Sequence, residues 1–136
     1  MEPNKIVIEL HVKRQAITAD VIVEKVAGNI FKLVENEICI RGFKRGIEFE
    51  ARIVEEGKYE FVRITKKSEY LTKQFILNTK FNPELWEPFG FEIMNCGGFW
   101  QLDFNSFLTI NLPANSSINL DKVYEIFGNK PLELKC

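Results

Sequence analysis

Alternation of side-chain character along the first half of the chain most limits how it can fold. In "KIVIELHVK", Ile6, Ile8, Leu10 and Val12 interleave with Val7, Glu9, His11 and Lys13. A period of two sends successive side chains to opposite faces, so this segment is expected to be a strand with one face for a core. The pattern returns in "DVIVEKV", "IFKLV", "IEFEARIV" and "KYEFVRIT". Gly28-Asn29 separates two apolar runs and marks a hairpin, and "EEG" marks a second turn. "EICI", after the polar "ENE", reads as a further strand. Short antiparallel strands with a turn every eight to twelve residues or so predict a small barrel or a strongly coiled sheet over residues 1–67.

The second half mixes helix with strand. "YLTKQFIL" reads as a strand. In "NPELWEPFGF", Asn82 is placed to cap a short helix, with Pro83 at its first position. Pro88 limits that helix and Gly90 ends it. "FEIM" and "FWQLDF" then flank Gly97-Gly98 as a hairpin, in which Phe99 and Trp100 point to opposite faces. "SFLTINL" is a strand before Pro113. "NLDKVYEIFGN" is a helix capped by Asn119 and closed by Gly128, with Leu120, Val123, Tyr124 and Phe127 on one face. The expected class is α+β. A single domain joins a barrel-like half, 1–67, to a ferredoxin-like β-α-β-β-α half, 68–136, with its helices on one face.

A chain of 136 residues can bury enough surface to fold without a metal or a disulfide. Its 12 phenylalanines point to an aromatic core. Cys39, Cys96 and Cys136 are odd in number and widely spaced, and His11 is the one histidine, so no metal site and no cofactor are expected. Free thiols, the lack of an apolar leader in "MEPNKIVIELHVK" and the lack of a long apolar run predict a cytoplasmic protein without a membrane segment. The net charge is −1, but residues 1–80 are net basic and 81–136 net acidic. An acidic half suits a basic protein partner.

Few residues invite chemistry. Cys96 in "NCGGFWQLDF" lacks both a neighbouring histidine and the helix start that activate a nucleophilic thiol. Glu48 with Glu50, and Glu84 with Glu87, lie opposite the apolar positions, where solvated carboxylates belong. No phosphate loop, GxGxxG, HExxH, GxSxG or calcium loop is present, so no enzyme activity and no catalytic residue are expected.

The order of segments is similar to a bacterial family catalogued as domain of unknown function 4265, over about residues 20–130. The shared features are a Gly-x-x-x-Gly turn, Gly42 to Gly46, before a barrel strand, and an apolar strand ending in Pro, Leu108 to Pro113, before a final helix. The chain departs from the family pattern at Ile47, Glu48, Glu69 and Lys73. Families of this kind occur beside polymorphic toxins, so the resemblance implies an immunity-type inhibitor that binds a cognate toxin. The expected partner surface is Glu84, Trp86, Glu87, Phe89, Phe99, Trp100 and Asp103, because aromatic anchors beside charges make binding hot spots. The alternative is a nucleic-acid-binding small barrel, with Arg41, Lys44, Arg45, Arg63, Lys66, Lys67 and Lys73 tracking phosphates and Phe43 as a stacking platform. An unrecognised enzyme is a second alternative.

Overall fold

The structure is a computed structural model that describes residues 4–134, and its class is α+β, rich in strand with two α-helices. The chain divides into two compact units, Met1–Glu69 and Tyr70–Cys136, two residues beyond the boundary expected from sequence.

In the first unit, β1 (Lys5–Val12), β2 (Ile17–Ala27), β3 (Ile30–Leu33), β4 (Glu48–Glu55) and β5 (Lys58–Lys66) pair antiparallel in succession. β5 then pairs with β1 in parallel and closes the barrel. The closing seam is short, running from Glu9–Lys58 to His11–Glu60. The period-two pattern does what its spacing requires: Ile8, Leu10, Val12, Val21, Val23, Phe31, Phe49 and Ala51 are all buried inside. The turns at Gly28 and Gly57 form as expected, both glycines at positive φ.

"EICI" is not a strand. Its backbone is spent on turns: Ile40 N–H donates to Glu37 O, Phe43 N–H to Ile40 O, and Cys39 N–H to the Glu37 carboxylate. Groups bound locally are lost to a ladder. The loop instead drops Ile40 and Phe43 into the core as plugs.

The second unit runs β6 (Tyr70–Ile76), α1 (Pro83–Asn95), β7 (Phe99–Asp103), β8 (Phe107–Pro113), α2 (Lys122–Phe127) and β9 (Leu132–Leu134). The sheet order is β7-β8-β6-β9, every pair antiparallel. Both helices cover the face made by Phe75, Leu108, Ile110 and Leu112. α1 starts as expected, the Asn82 side chain accepting from the backbone N–H of Glu84 at 3.0 Å and of Leu85 at 3.4 Å. Asn119 holds the turn ahead of α2 by accepting from Asp121 N–H at 2.9 Å, and Gly128 ends α2 in the left-handed region.

α1 does not stop at Gly90. It passes through Pro88 and Gly90 and takes in "FEIM". A helix-interior proline costs about 3 kcal/mol and a glycine about 1. Burial of Trp86, Phe89 and Ile93 along one stripe returns about 1.5–3 kcal/mol for each, which outweighs both. Gly97-Gly98 is therefore no hairpin. Cys96 caps α1, Gly97 at φ +86 turns the chain out of the helix, and Gly98 leads into β7. The hairpin lies later, between β7 and β8, where Phe104 and Asn105 both take positive φ.

Candidate functional site

α1 sets one wall of a groove in the second unit. Pro83, Trp86, Glu87, Gly90, Phe91 and Met94 recur at helical spacing along it, and Phe81 and Trp100 complete a space of about 510 Å³. Ligand sites commonly fall between about 300 and 1,000 Å³. The aromatic walls are packed together. The Trp86 ring lies 5.4 Å from Trp100 and 5.4 Å from Phe89, both edge-on, and Phe81 stacks on Trp100 at 6.4 Å.

Trp86 is 1% exposed, yet its Nε1 has no hydrogen-bond partner among the described residues. A buried polar group without a partner is rare and costly. Gly90 explains how the two indoles can pack so closely against α1. A Cβ there would lie 2.9 Å from Trp86 Nε1 and 3.0 Å from Trp100 Nε1, so both indole nitrogens gather over the one residue without a side chain. Among the described residues, Glu87 is the one titratable side chain on the groove. With aromatic and apolar walls and a single carboxylate, the groove is equipped to hold an apolar group.

The expected partner surface is only partly assembled. Glu84 is exposed on the first turn of α1, and Trp86, Glu87 and Trp100 meet at the groove. Trp86 and Phe89 are buried, which corrects their reading as surface anchors: the longer helix puts them on its inward stripe with Ile93. Phe99 and Trp100 do take opposite faces of β7, and both are half-buried. Trp100 joins the helix-side core, while Phe99 packs on Tyr70 at 5.7 Å. Asp103 accepts from Gln101 Nε2 at 2.9 Å. Missing from the expectation were Phe81, Pro83, Gly90, Phe91 and Met94. Their spacing with Glu87 is legible once the helix is extended past Pro88.

The barrel carries a second concavity. Lys13, Arg14, Gln15, Arg41, Phe43, Phe61 and Arg63 are among the residues around a cleft of about 360 Å³. Of the expected nucleic-acid surface, Arg41 and Arg63 reach it. Phe43 is no stacking platform, because it is 4% exposed and packed between Phe49 at 5.3 Å and Phe61 at 5.4 Å. Arg45 turns inward, its guanidinium donating to the Val34 carbonyl and its backbone N–H to Asn36 Oδ1. Arg63 pairs with Glu50 at 3.0 Å, and Lys66 with Glu48 at 3.8 Å and Glu69 at 3.5 Å. Lys73 belongs to the second unit and pairs with Glu133 at 3.6 Å. Lys44 is half-buried and Lys67 exposed. Sequence reading missed Lys13 and Arg14, which a short 3-10 helix after β1 brings to the cleft. The Gln15 side chain fastens that helix to Arg41, accepting from its N–H at 2.8 Å and donating to its carbonyl at 3.0 Å.

The Cys96 thiol donates to the Ile93 carbonyl at 3.1 Å and lies 3.8 Å from Ser116 Oγ. It sits at the C-terminal cap of α1, not at a helix start. His11 lies on β1 of the barrel with Nδ1 2.8 Å from Thr18 Oγ1. Cys136 lies outside the described residues. Among the described residues no three His, Cys, Asp or Glu side chains converge, and no helix is long and apolar enough to cross a membrane.

The fold resembles the crystal structure of a hypothetical protein from Neisseria gonorrhoeae. The TM-score is 0.61 at 16% identity, covering 95% of this chain and 93% of that one. No family model and no curated protein matches the chain.

Proposed function

We propose that this chain is a non-catalytic, cytoplasmic binding domain that recognises another protein, as an immunity-type inhibitor holds a bacterial toxin. The observation that carries the reading is the exposed apolar pair one turn apart on α1 beside the groove, Phe91 at 59% and Met94 at 46% exposure. They flank Glu84 and Glu87 beside the groove. A well-folded domain seldom leaves such side chains together in water unless a surface meets them. A standard interface needs about 800 Å² from each partner, which a chain of this size can supply. The resemblance to family 4265 through Gly42–Gly46 and Leu108–Pro113 supplies the toxin as the specific partner class. We read the architecture as a five-stranded small barrel joined to a ferredoxin-like half. The element order β-α-β-β-α-β and the strand order β7-β8-β6-β9 support that second term.

The test is co-expression with the product of the adjacent reading frame. A stoichiometric complex is expected, and Phe91→Asp with Met94→Asp should break it. A wild-type chain that retains no protein from its native host overturns the reading.

One observation favours a second reading, a nucleic-acid-binding barrel: Lys13, Arg14, Arg41 and Arg63 surround a single cleft. Phosphate-led binding weakens steeply as salt rises. Arg14→Glu with Arg41→Glu should abolish salt-sensitive retention on DNA and RNA, and unchanged retention removes this reading.

A further inference from the structure

The barrel seam opens before β5 ends. β1 and β5 pair in parallel from Glu9–Lys58 to His11–Glu60 and no further. β1 then stops at Val12, and the chain turns away into the 3-10 helix Lys13–Gln15. Residues 62–66 of β5 keep β4 as their neighbour, but among the described residues nothing pairs with their other edge. Such an edge presents backbone donors and acceptors that another chain can extend. The parted seam is the cleft of about 360 Å³, with residues 12–15 on one side and 61–64 on the other. Its floor is apolar, Val12 and Phe43 being buried and Phe61 half-buried. Lys13, Arg14 and Arg41 stand exposed around it. Among the described residues none of these three meets a carboxylate, and no carboxylate lines the cleft. The two hydrogen bonds from the Gln15 side chain to the Arg41 backbone fix the segments that carry these cations.

We infer that the open edge of β5 binds an extended acidic segment of another protein, which adds as a short strand in the parted seam. The backbone of the incoming segment takes the unpaired edge, and its side chains alternate between two faces. On one face an apolar side chain enters over Val12, Phe43 and Phe61, and on the other carboxylates meet Lys13, Arg14 and Arg41. The fitting sequence therefore alternates acidic with aliphatic residues. Residues 62–66 offer an edge of about 13 Å at 3.3 Å per residue, so roughly four such residues are held. The same surface is poorly made for nucleic acid. Phe43 is 4% exposed and gives no base a platform. Every cation of β4 and β5, namely Arg52, Lys58, Arg63 and Lys66, is matched with a glutamate, so no unpaired basic track leads away from the cleft along these strands. The inference concerns the first unit and does not depend on the α1 surface.

The experiment titrates the ¹⁵N-labelled full chain and follows its backbone amides by ¹H–¹⁵N correlation NMR. The probes are an acetylated, amidated peptide of alternating glutamate and valine, its lysine-for-glutamate counterpart, and oligothymidylate. Two further versions of the first peptide are N-methylated, one at every valine and one at every glutamate. The glutamate–valine peptide should shift the amides of residues 62–66 saturably and slow their exchange with water, the mark of a new strand neighbour. The lysine peptide should leave them in place. Alternate N–H groups of a strand point to opposite edges, so one N-methylated peptide should bind about tenfold or more weakly and the other should not. That loss is the value of one or two net hydrogen bonds. Arg14→Glu with Arg41→Glu, both exposed, should weaken the first peptide by about tenfold. Three results overturn the inference: no shift at residues 62–66 with the glutamate–valine peptide, equal affinity of the two N-methylated peptides, or oligothymidylate that takes the same amides more tightly than the peptide does. The substitutions at Phe91 and Met94 in the co-expression test lie in the other unit, so the two readings fail separately.

Discussion

Replacing Gly98 by alanine strikes the place where α1 hands over to β7. The new Cβ would lie 2.7 Å from the Asn111 carbonyl oxygen, 3.0 Å from the Ile93 carbonyl oxygen and 3.0 Å from Ile93 Cγ2. Two of these three atoms belong to the backbone and cannot rotate away. Ile93 O is held by Gly98 N–H at 2.9 Å, and Asn111 is paired with Phe99 in the β7–β8 ladder. Relief must come from moving the helix end or the strand, and overpacking of this sort costs about 1–3 kcal/mol. The rigid neighbours place the expected loss in the upper half of that range. Gly97 is the control. It sits at φ +86, but the nearest atom to its Cβ is Pro113 Cγ at 3.6 Å, an ordinary contact. Its requirement is conformational, and asparagine tolerates the left-handed region, so Gly97→Asn should cost no more than about 1 kcal/mol. Urea unfolding checks both, as a fall in midpoint at constant slope. A Gly98→Ala midpoint equal to wild type would refute the helix-to-strand junction. So would equal, mild effects of asparagine at 97 and 98, the result a glycine hairpin demands.

Pro88 lies exposed inside α1, so Pro88→Ala should restore a helical N–H and raise stability by about 1 kcal/mol or more, read from the same urea curves. Phe104 is 81% exposed and takes φ +55 at the β7–β8 turn, a conformation costly for an aromatic residue. Phe104→Asn should therefore gain about 1 kcal/mol, visible as a higher thermal midpoint. Lys58 is raised above its ordinary 10.5 by its hydrogen bond to Glu55 and by the charges of Glu55 and Glu9. A raised folded-state pKa adds stability that is complete below pH 10.5 and lost as pH climbs through the folded value. Lys58→Met should thus flatten the fall in stability above pH 10.5, read as denaturation midpoint against pH.

Local signals were legible wherever the deciding physics was local. Ile8, Leu10 and Val12 read as one face of a strand because the pleat alternates at every residue. Gly28 and Gly57 read as turns because positive φ is cheap only without a Cβ. Asn82-Pro83 and Gly128 read as helix ends because a side-chain cap, a missing N–H and a left-handed residue act within one turn. The groove was not legible. Its residues come together only if α1 continues past Pro88, and the local rules say it stops there. Burial of Trp86, Phe89 and Ile93 against Leu108, Ile110 and Leu112 decides otherwise, and that energy depends on strands distant in sequence. Phe43 shows the same limit. Among arginines and lysines it reads as an exposed ring, and only the closed barrel makes it a core plug. Sequence alone thus determined the α+β class, the strand periodicity and most turns. Tertiary packing decided which aromatic rings are core and which line a groove, because burial belongs to the assembled sheet and helix rather than to any segment.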